Sequence, residues 1–157
     1  LTALRKIPAC LDCSEVWLIM GQMPDQVENG AGAEEFSSVH DYVMRREHRI
    51  PMKLPEIDVD YSIFTPSSMP EGEQARVTGL LVRLKPGCWI TERMISHAGY
   101  DESCFLLQGE LELHLGTRVY TIRSGDSFYV PQDMLHNYLN ISQEEAVCMV
   151  YFSKLIY

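Results

Sequence analysis

Residues 97–140 read HAGYDESCFLLQGELELHLGTRVYTIRSGDSFYVPQDMLHNYLN, and this stretch decides the fold. Apolar strand-like runs alternate within it with short glycine-containing turns. Its two ends carry His97, Glu102 and His136, and two imidazoles with one carboxylate are a ligand set for a divalent metal. Because the intervening strands can bring the two ends together in space, the stretch predicts a small β-barrel with an internal site.

Strand-like runs continue on both sides of this stretch. Residues 57–68 alternate in strand fashion, residues 75–87 end at a proline-glycine turn, and residues 146–152 are apolar throughout, as in a strand covered on both faces. Between 110 and 115, leucines alternate with glutamates and His114, which places His114 on the wet face and excludes it as a ligand. Many short strands with no long helix between them predict an all-β sandwich or barrel.

The composition excludes several classes of function. At 157 residues the chain is long enough for one domain plus an appendage. Its net charge of -9 repels phosphate backbones, and its longest uncharged apolar run is far too short to span a bilayer, so we expect no membrane partner. Arg5, Lys6 and Pro8 interrupt any signal-peptide pattern. Together with an odd number of cysteines, five, this favours a reducing, cytoplasmic setting over a disulfide framework.

The N-terminal third divides into helices and a linker. Residues 2–20 place apolar side chains at helical spacing and predict two short helices, capped by a serine and a glycine. A polar, acidic, glycine-containing stretch follows. We therefore expect a helical segment over 1–24, a linker and barrel-edge segment over 25–56, and the barrel over 57–157.

The helical segment resembles part of a DNA-binding domain. LRKIPACLDCSEVWLIMG (4–21) is similar to the last two helices of the helix-turn-helix domain in xenobiotic-response-element-type (XRE-type) regulators. The residues that match the family's pattern are Leu4, Lys6, Ile7, Leu11, Ser14, Trp17, Leu18 and Gly21. Pro8 and Cys13 depart from it. The helices that enter the major groove would precede Leu1, so the resemblance implies DNA binding only through residues missing from this chain.

The barrel segment resembles the cupins. The family's first motif ends in a histidine, a glutamate and a glycine, and its second contains a glycine, a proline, a histidine and an asparagine. At those positions this chain has His97, Glu102, Gly109, Gly125, Pro131, His136 and Asn140. Asp133 replaces the middle glycine of the second motif. The resemblance implies a mainly β, cupin-type double-stranded β-helix, the RmlC-like jelly-roll barrel, with a short α-helical N-terminal segment.

One ligand position of the family differs in this chain. Ile95 stands where the first motif has its first histidine, which reduces a four-ligand site to His97, Glu102 and His136. This set suits zinc, iron, nickel or manganese and leaves coordination positions open. The alternative is a barrel without metal, in which a neutral histidine and a protonated or paired glutamate hydrogen-bond an organic ligand. We favour the metal, because burying an ionised Glu102 without a cation is costly. The neighbouring Asp101 is an alternative carboxylate, since only one of the two can point inward.

Further side chains are candidates to line the cavity. They are Tyr100, Cys104, Tyr129, Tyr138, Arg83 and Arg93. Cys104 shares the face of Glu102 if the strand is regular, and an inward arginine would favour a carboxylate or phosphonate ligand. For each of them, core filling or a position on the rim is the alternative.

The two resemblances together imply a transcriptional regulator whose barrel senses a small-molecule effector. Such a regulator binds DNA as a homodimer, and its site residues hold a ligand without being catalytic. The alternative is an enzyme. The chain resembles the iron-dependent hydroxypropylphosphonate epoxidases in one short pattern, which is HAG followed by an acidic residue and then by a strand ending in glycine. In those enzymes two histidines and a glutamate hold Fe(II), and the Fe(II) activates dioxygen. A metal-dependent lyase or isomerase is a third possibility and would need a general base, such as Tyr100 or Tyr129.

Overall fold

A computed structural model describes residues 41–53, 59–66 and 68–154. The predicted N-terminal helices lie outside these ranges. Within them, helical structure is limited to two single 3-10 turns, Arg46–His48 and Pro70–Gly72. No helix in this part of the chain is long and apolar enough to cross a membrane.

The described residues form strands in two antiparallel sheets. In chain order the strands are β1 (Ile50–Lys53), β2 (Val59–Ile63), β3 (Thr78–Leu84), β4 (Glu102–Gln108), β5 (Glu110–Leu115), β6 (Arg118–Arg123), β7 (Ser127–Val130), β8 (His136–Asn140) and β9 (Ala146–Phe152). One sheet has the order β1-β2-β3-β9-β4-β7, and the other has the order β6-β5-β8. The inward side chains of both sheets share one hydrophobic core, so the sheets pack face to face as a jelly roll.

Alternation along each strand decides which side chains enter this core. On β4, Glu102, Cys104 and Leu106 are buried, and the residues between them are exposed. On β5, Leu111 and Leu113 are buried, and the glutamates beside them are partly exposed. Period-two alternation in the sequence therefore identified the inward face of both strands.

The strand over 146–152 differs from its prediction. Its inner face is buried, but its outer face is only partly covered: Val147 is buried, Met149 is partly buried and Tyr151 is 40% exposed. The sequence predicted a strand covered on both faces. The ring of Phe64 meets Tyr151 edge-on at 5.4 Å and leaves this residue partly accessible.

The sequence patterns predicted no strand over 136–140 and only a linker and barrel-edge segment around β1. β1 lies within the predicted linker and barrel-edge segment, and it pairs with β2 as the edge of the six-stranded sheet. β8 was missed because its inward positions include the polar His136 and Asn140, so it lacks an apolar face. The boundaries at residues 24 and 56 stay predictions.

A glycine turn joins the two sheets between β4 and β5. Gly109 has a φ of +92°, and a Cβ atom there would lie 2.9 Å from the Cα of Ala146. An L side chain would be strained in this conformation and would collide with the β9 backbone. The glycine of the first motif therefore has a structural role at this turn.

Candidate metal centre

The three candidate ligands meet at one point inside the barrel. Glu102 begins β4, His136 begins β8, and His97 ends the segment that runs beside β8. Oε2 of Glu102 lies 2.9 Å from Nε2 of His97 and 3.3 Å from Nε2 of His136. The ligand atoms of all three residues lie within 4.8 Å of one another. Residues distant in sequence are thus brought to metal-binding separation.

Backbone pairing places His136 and selects the nitrogen that faces the site. The amide of Ile95 donates to the His136 carbonyl at 2.9 Å, and the amide of His136 donates back to the Ile95 carbonyl at 2.8 Å. Nδ1 of His136 lies 3.0 Å from the carbonyl oxygen of Met134, a distance at which an Nδ1–H donates to it. This leaves the Nε2 lone pair directed at Glu102, the orientation that a histidine ligand needs.

His97 is held by a turn on one side and by aromatic rings on the other. The amide of Asp133 donates to the His97 carbonyl at 2.9 Å, and Asp133 has a φ of 62°. The turn therefore keeps the left-handed conformation of the glycine that Asp133 replaces. The ring of Tyr100 stacks on His97 with centroids 4.8 Å apart, and Phe152 meets it edge-on at 5.0 Å. These contacts restrict the imidazole to one orientation.

Glu102, and not Asp101, is the inward carboxylate. Glu102 is only 3% exposed. Asp101 points the other way, and its Oδ1 accepts a hydrogen bond from the amide of Gln132 at 2.9 Å. The alternation of β4 separates the two neighbours, so Asp101 secures the turn before His136 while Glu102 enters the site.

The electrostatics of the site favour a cation. Burial by itself raises the pKa of Glu102, but the nearby imidazoles of His136 and His97 outweigh it and hold that pKa below its usual value. Burial lowers the pKa of His136, but the nearby Glu102 carboxylate and the Met134 carbonyl raise it above its usual value. Each group thus stabilises the charged form of the other.

Two buried polar atoms of the site have no hydrogen-bond partner. They are Oε1 of Glu102 and Nε2 of His136, which lies near Oε2 but without the geometry of a hydrogen bond. Orphaned buried polar atoms are rare and require an explanation. A divalent cation beside them would accept both lone pairs, so the residues present fit a metal. Three protein ligands would leave positions open for another molecule.

Three of the six predicted cavity residues lie near the triad. Tyr100 stacks on His97, and Cys104 and Tyr138 are buried on the inner faces of β4 and β8. A hydrogen bond to Cys148 and burial raise the pKa of Cys104, and burial raises the pKa of Tyr138. The Glu102 carboxylate contributes to both shifts. The negative charge of Glu102 therefore acts on the Cys104 thiol and on the Tyr138 phenol.

The structure places the other three candidates on the outside of the barrel. Arg83 points outward from β3 and forms an ion pair with Glu145 at 2.7 Å. Arg93 is exposed, and Tyr129 points outward from β7. Arg83 and Tyr129 occupy outward positions of their strands, which the sequence alone did not determine, and Arg93 lies in a bend outside the strands. The inference of a carboxylate or phosphonate ligand from an inward arginine therefore loses its basis.

Sequence reasoning overlooked two structural roles around the site. Ile95 was considered only as a missing ligand, but it is the residue directly opposite His136. Asn140 is fully buried, and its amide donates to the carbonyls of Leu84 at 2.9 Å and Glu144 at 2.8 Å. The second motif marked this asparagine by its spacing, and the structure shows that it ties the end of β8 to neighbouring chain segments.

Comparisons with known proteins agree with this architecture. Residues 80–152 match the family model described as the cupin domain. An RmlC-like cupin from Shewanella frigidimarina has a similar structure, with a TM-score of 0.58, 13% identity, and coverage of 73% of this chain and 92% of that chain. KdgF from Halomonas sp. is similar as well, with a TM-score of 0.56, 14% identity, and coverage of 72% and 94%. At these identities the likeness shows the fold alone.

One curated protein is similar in sequence. It is the polyketide synthase CurC of Streptomyces cyaneus, 28% identical over 94 residues, which are 60% of this chain. The chain spans 58% of the length of that relative. The family match and the similar structures agree with the strand arrangement, and the predicted cupin jelly-roll fold is confirmed. His97, Glu102 and His136 are its candidate metal ligands.

Proposed function

We propose that this cupin domain binds a divalent metal ion through His97, Glu102 and His136 and holds a small molecule at the positions that the metal leaves open. The observation that carries the proposal is the pair of buried, unpartnered ligand atoms, Oε1 of Glu102 and Nε2 of His136. Leaving such atoms unsatisfied costs about 1–3 kcal/mol each, and more for a charged group. A cation between them removes that cost.

The protein's own residues prepare the site in advance. The Met134 carbonyl fixes the tautomer of His136, Tyr100 fixes the ring of His97, and the β4 backbone holds Glu102 inside the barrel. Glu102 supplies the negative charge that offsets the cation. The metal, when bound, would supply a Lewis-acid position for an oxygen or nitrogen atom of the small molecule.

The role that best accommodates these features is a sensor. The rings that contact His97 are those of Tyr100, Phe152 and His136, so its surroundings are mostly aromatic. Such rings offer flat apolar surfaces against which a small molecule can be held. The resemblance of residues 4–21 to the end of an XRE-type helix-turn-helix domain supports a transcriptional regulator as the setting. In it, effector binding in the cupin domain would bias the arrangement of paired DNA-binding domains.

A non-heme Fe(II) oxygenase acting on a small acid is the second candidate. Two histidines and one carboxylate are the ligand set of such enzymes, and all three are at metal-binding separation in this structure. The similarity to a polyketide synthase also points to biosynthetic chemistry. In this case His97, Glu102 and His136 would hold iron, and the small molecule would be a substrate.

The decisive experiment measures metal content. The protein is purified without chelator beside the His136→Ala variant, with His114→Ala as a matched control, because His114 pairs with Glu112 on the outer surface. Near-stoichiometric metal in the wild type and in His114→Ala, but not in His136→Ala, supports the site. No metal in the wild type, even after anaerobic loading with Fe(II), refutes it.

Two further measurements on the metal-loaded protein distinguish an oxygenase from a sensor. Oxygen consumption in the presence of Fe(II) and candidate small acids supports the oxygenase. Metal-dependent thermal stabilisation by a small molecule, without oxygen consumption, supports the sensor.

A further inference from the structure

Two tyrosines stand on either side of a serine on the outside of the barrel. Ser103 of β4 is paired with Tyr129 of the edge strand β7 and, on its other side, with Tyr151 of β9. All three side chains point outward. Tyr129 is 55% exposed and Tyr151 is 40% exposed. Because the serine between them is small, a slot is left between the two tyrosines. We call Tyr129, Ser103 and Tyr151 the tyrosine slot.

The tyrosine slot belongs to a cavity of about 200 Å³. Val77, Asp101 and Ser153 complete its walls, and Glu102 and Phe152 also border it. No lysine or arginine is among the described residues that line this cavity. Pockets for drug-sized molecules have volumes of roughly 300–1,000 Å³, so this smaller cavity suits a ligand group of few atoms.

Each ring of the tyrosine slot has a neighbour that restricts its position. The nearby Asp101 carboxylate raises the pKa of the Tyr129 phenol. On the other side, Gly79 leaves room for the ring of Phe64, which meets Tyr151 edge-on at 5.4 Å. Side chains that are already held in place lose less conformational entropy when a ligand binds, so the slot is preorganised.

We propose that the tyrosine slot binds a small organic ammonium ion, quaternary or protonated tertiary, between its two rings. Neighbouring strands lie about 4.8 Å apart, so a cation above Ser103 would lie about 5 Å from the line of each tyrosine. Cation–π attraction acts within roughly 6 Å of a ring centroid, and paired aromatic rings are a recurrent way of recognising quaternary ammonium groups. The strand spacing therefore allows both rings to contact one cation.

The charges around the slot favour a cation over a neutral ring of similar size. The carboxylate of Asp101 lies at one side of the cavity, and the chain as a whole has a net charge of -9, which attracts cations from solution. Lys154 follows the lining residue Ser153, but its Nζ atom lies 5.8 Å from the ring of Tyr100, which packs against the barrel core. Its ammonium group is therefore directed to another ring and not to the slot.

The test is a titration of the whole chain with choline, followed by the proton NMR signal of the choline N-methyl groups. We expect saturable binding and an upfield shift of that signal, because aromatic ring faces would enclose the methyl groups. The neutral analogue, in which a tert-butyl group replaces trimethylammonium, should bind at least about fivefold more weakly, since it has the same shape without the charge. A chelator should not change the dissociation constant, because the slot lies outside the barrel. The result is therefore independent of the proposed metal centre.

Variants assign the binding to the two rings. Tyr129→Leu and Tyr151→Leu should each raise the dissociation constant about three- to 30-fold, whereas Tyr129→Phe, which keeps the ring, should change it less than about twofold. Ser103→Leu should abolish binding, because the larger side chain fills the space between the rings. The matched control is Tyr120→Leu, which removes a tyrosine of similar exposure, 39%, from the other sheet and should bind choline as the wild type does.

Melting temperatures establish which variants are folded. If Tyr151→Leu unfolds because it loses its contact with Phe64, Tyr129→Leu at the sheet edge still tests the slot. The proposal is overturned if choline shows no saturable binding, if the neutral analogue binds equally well, or if folded Ser103→Leu binds choline unchanged. Equal weakening by Tyr120→Leu also overturns it, because the cation would then bind elsewhere.

Discussion

Replacing Ile95 by histidine tests whether the triad is a metal centre with an open position. Ile95 and His136 exchange two backbone hydrogen bonds, so they are directly opposite each other and their side chains share one face of the sheet. Opposite residues have Cβ atoms about 4.5–5.5 Å apart. An imidazole at position 95 would therefore lie next to the His136 ring and could reach the metal as a fourth ligand.

The magnitudes follow from the burial of Ile95 and from the strength of an added ligand. Full burial of isoleucine contributes roughly 1.5–3 kcal/mol, so replacing this half-buried side chain should cost about 1 kcal/mol in the metal-free protein. For a chain of this size that lowers the melting temperature by about 2–4 °C. A hydrogen bond to a charged group contributes about 1.5–3 kcal/mol, and a metal–imidazole bond is stronger, so the metal dissociation constant should fall at least about tenfold.

The assay combines chelator competition with X-ray absorption spectroscopy. Competition yields the dissociation constant, and the absorption spectrum should show three imidazoles around the metal in Ile95→His and two in the wild type. Ile95→Gln, a polar residue without an imidazole, controls for the loss of packing, and Ile141→His controls for an added surface histidine. A folded Ile95→His protein with unchanged affinity and two imidazoles would refute the placement of the metal beside position 95.

Three other predictions concern the same site and its framework. Glu102→Gln should weaken metal binding at least about 100-fold in chelator competition, since it removes a ligand and the only buried negative charge among the three; unchanged affinity would exclude Glu102 as a ligand. In the metal-free protein, the histidines hold the pKa of Glu102 below its usual value despite the opposing effect of burial. Its contribution to stability is therefore present above the unfolded-state pKa of about 4 and is lost as the pH falls through the lower folded-state value; urea unfolding at several pH values should show this loss in the wild type and not in Glu102→Gln. Gly109→Ala should lower the free energy of unfolding by about 2–4 kcal/mol, because φ is +92° there and the added Cβ would meet the Ala146 backbone at 2.9 Å; an unchanged urea midpoint would show that the turn relaxes without cost.

The candidate metal ligands could be identified because chemistry and spacing agreed at each position. Glu102 is near the start of an alternating run, so its face also identified Cys104 as inward. The same reasoning failed for Arg83 and Tyr129. β3 and β7 contain no ligand that marks their inward face, and a shift of one residue exchanges the two faces of a strand. The orientation of a strand can therefore be predicted where it carries a clear apolar face, as in β5, or an anchor residue, as in β4.

Long-range pairing explains the other differences. β8 places His136, Tyr138 and Asn140 inward, and these residues are stabilised by partners distant in sequence, such as Met134 and Leu84 through their carbonyl groups. A strand with polar inward residues does not show an apolar face, so only its motif was visible. The role of Ile95 likewise depends on a pairing that no local pattern specifies.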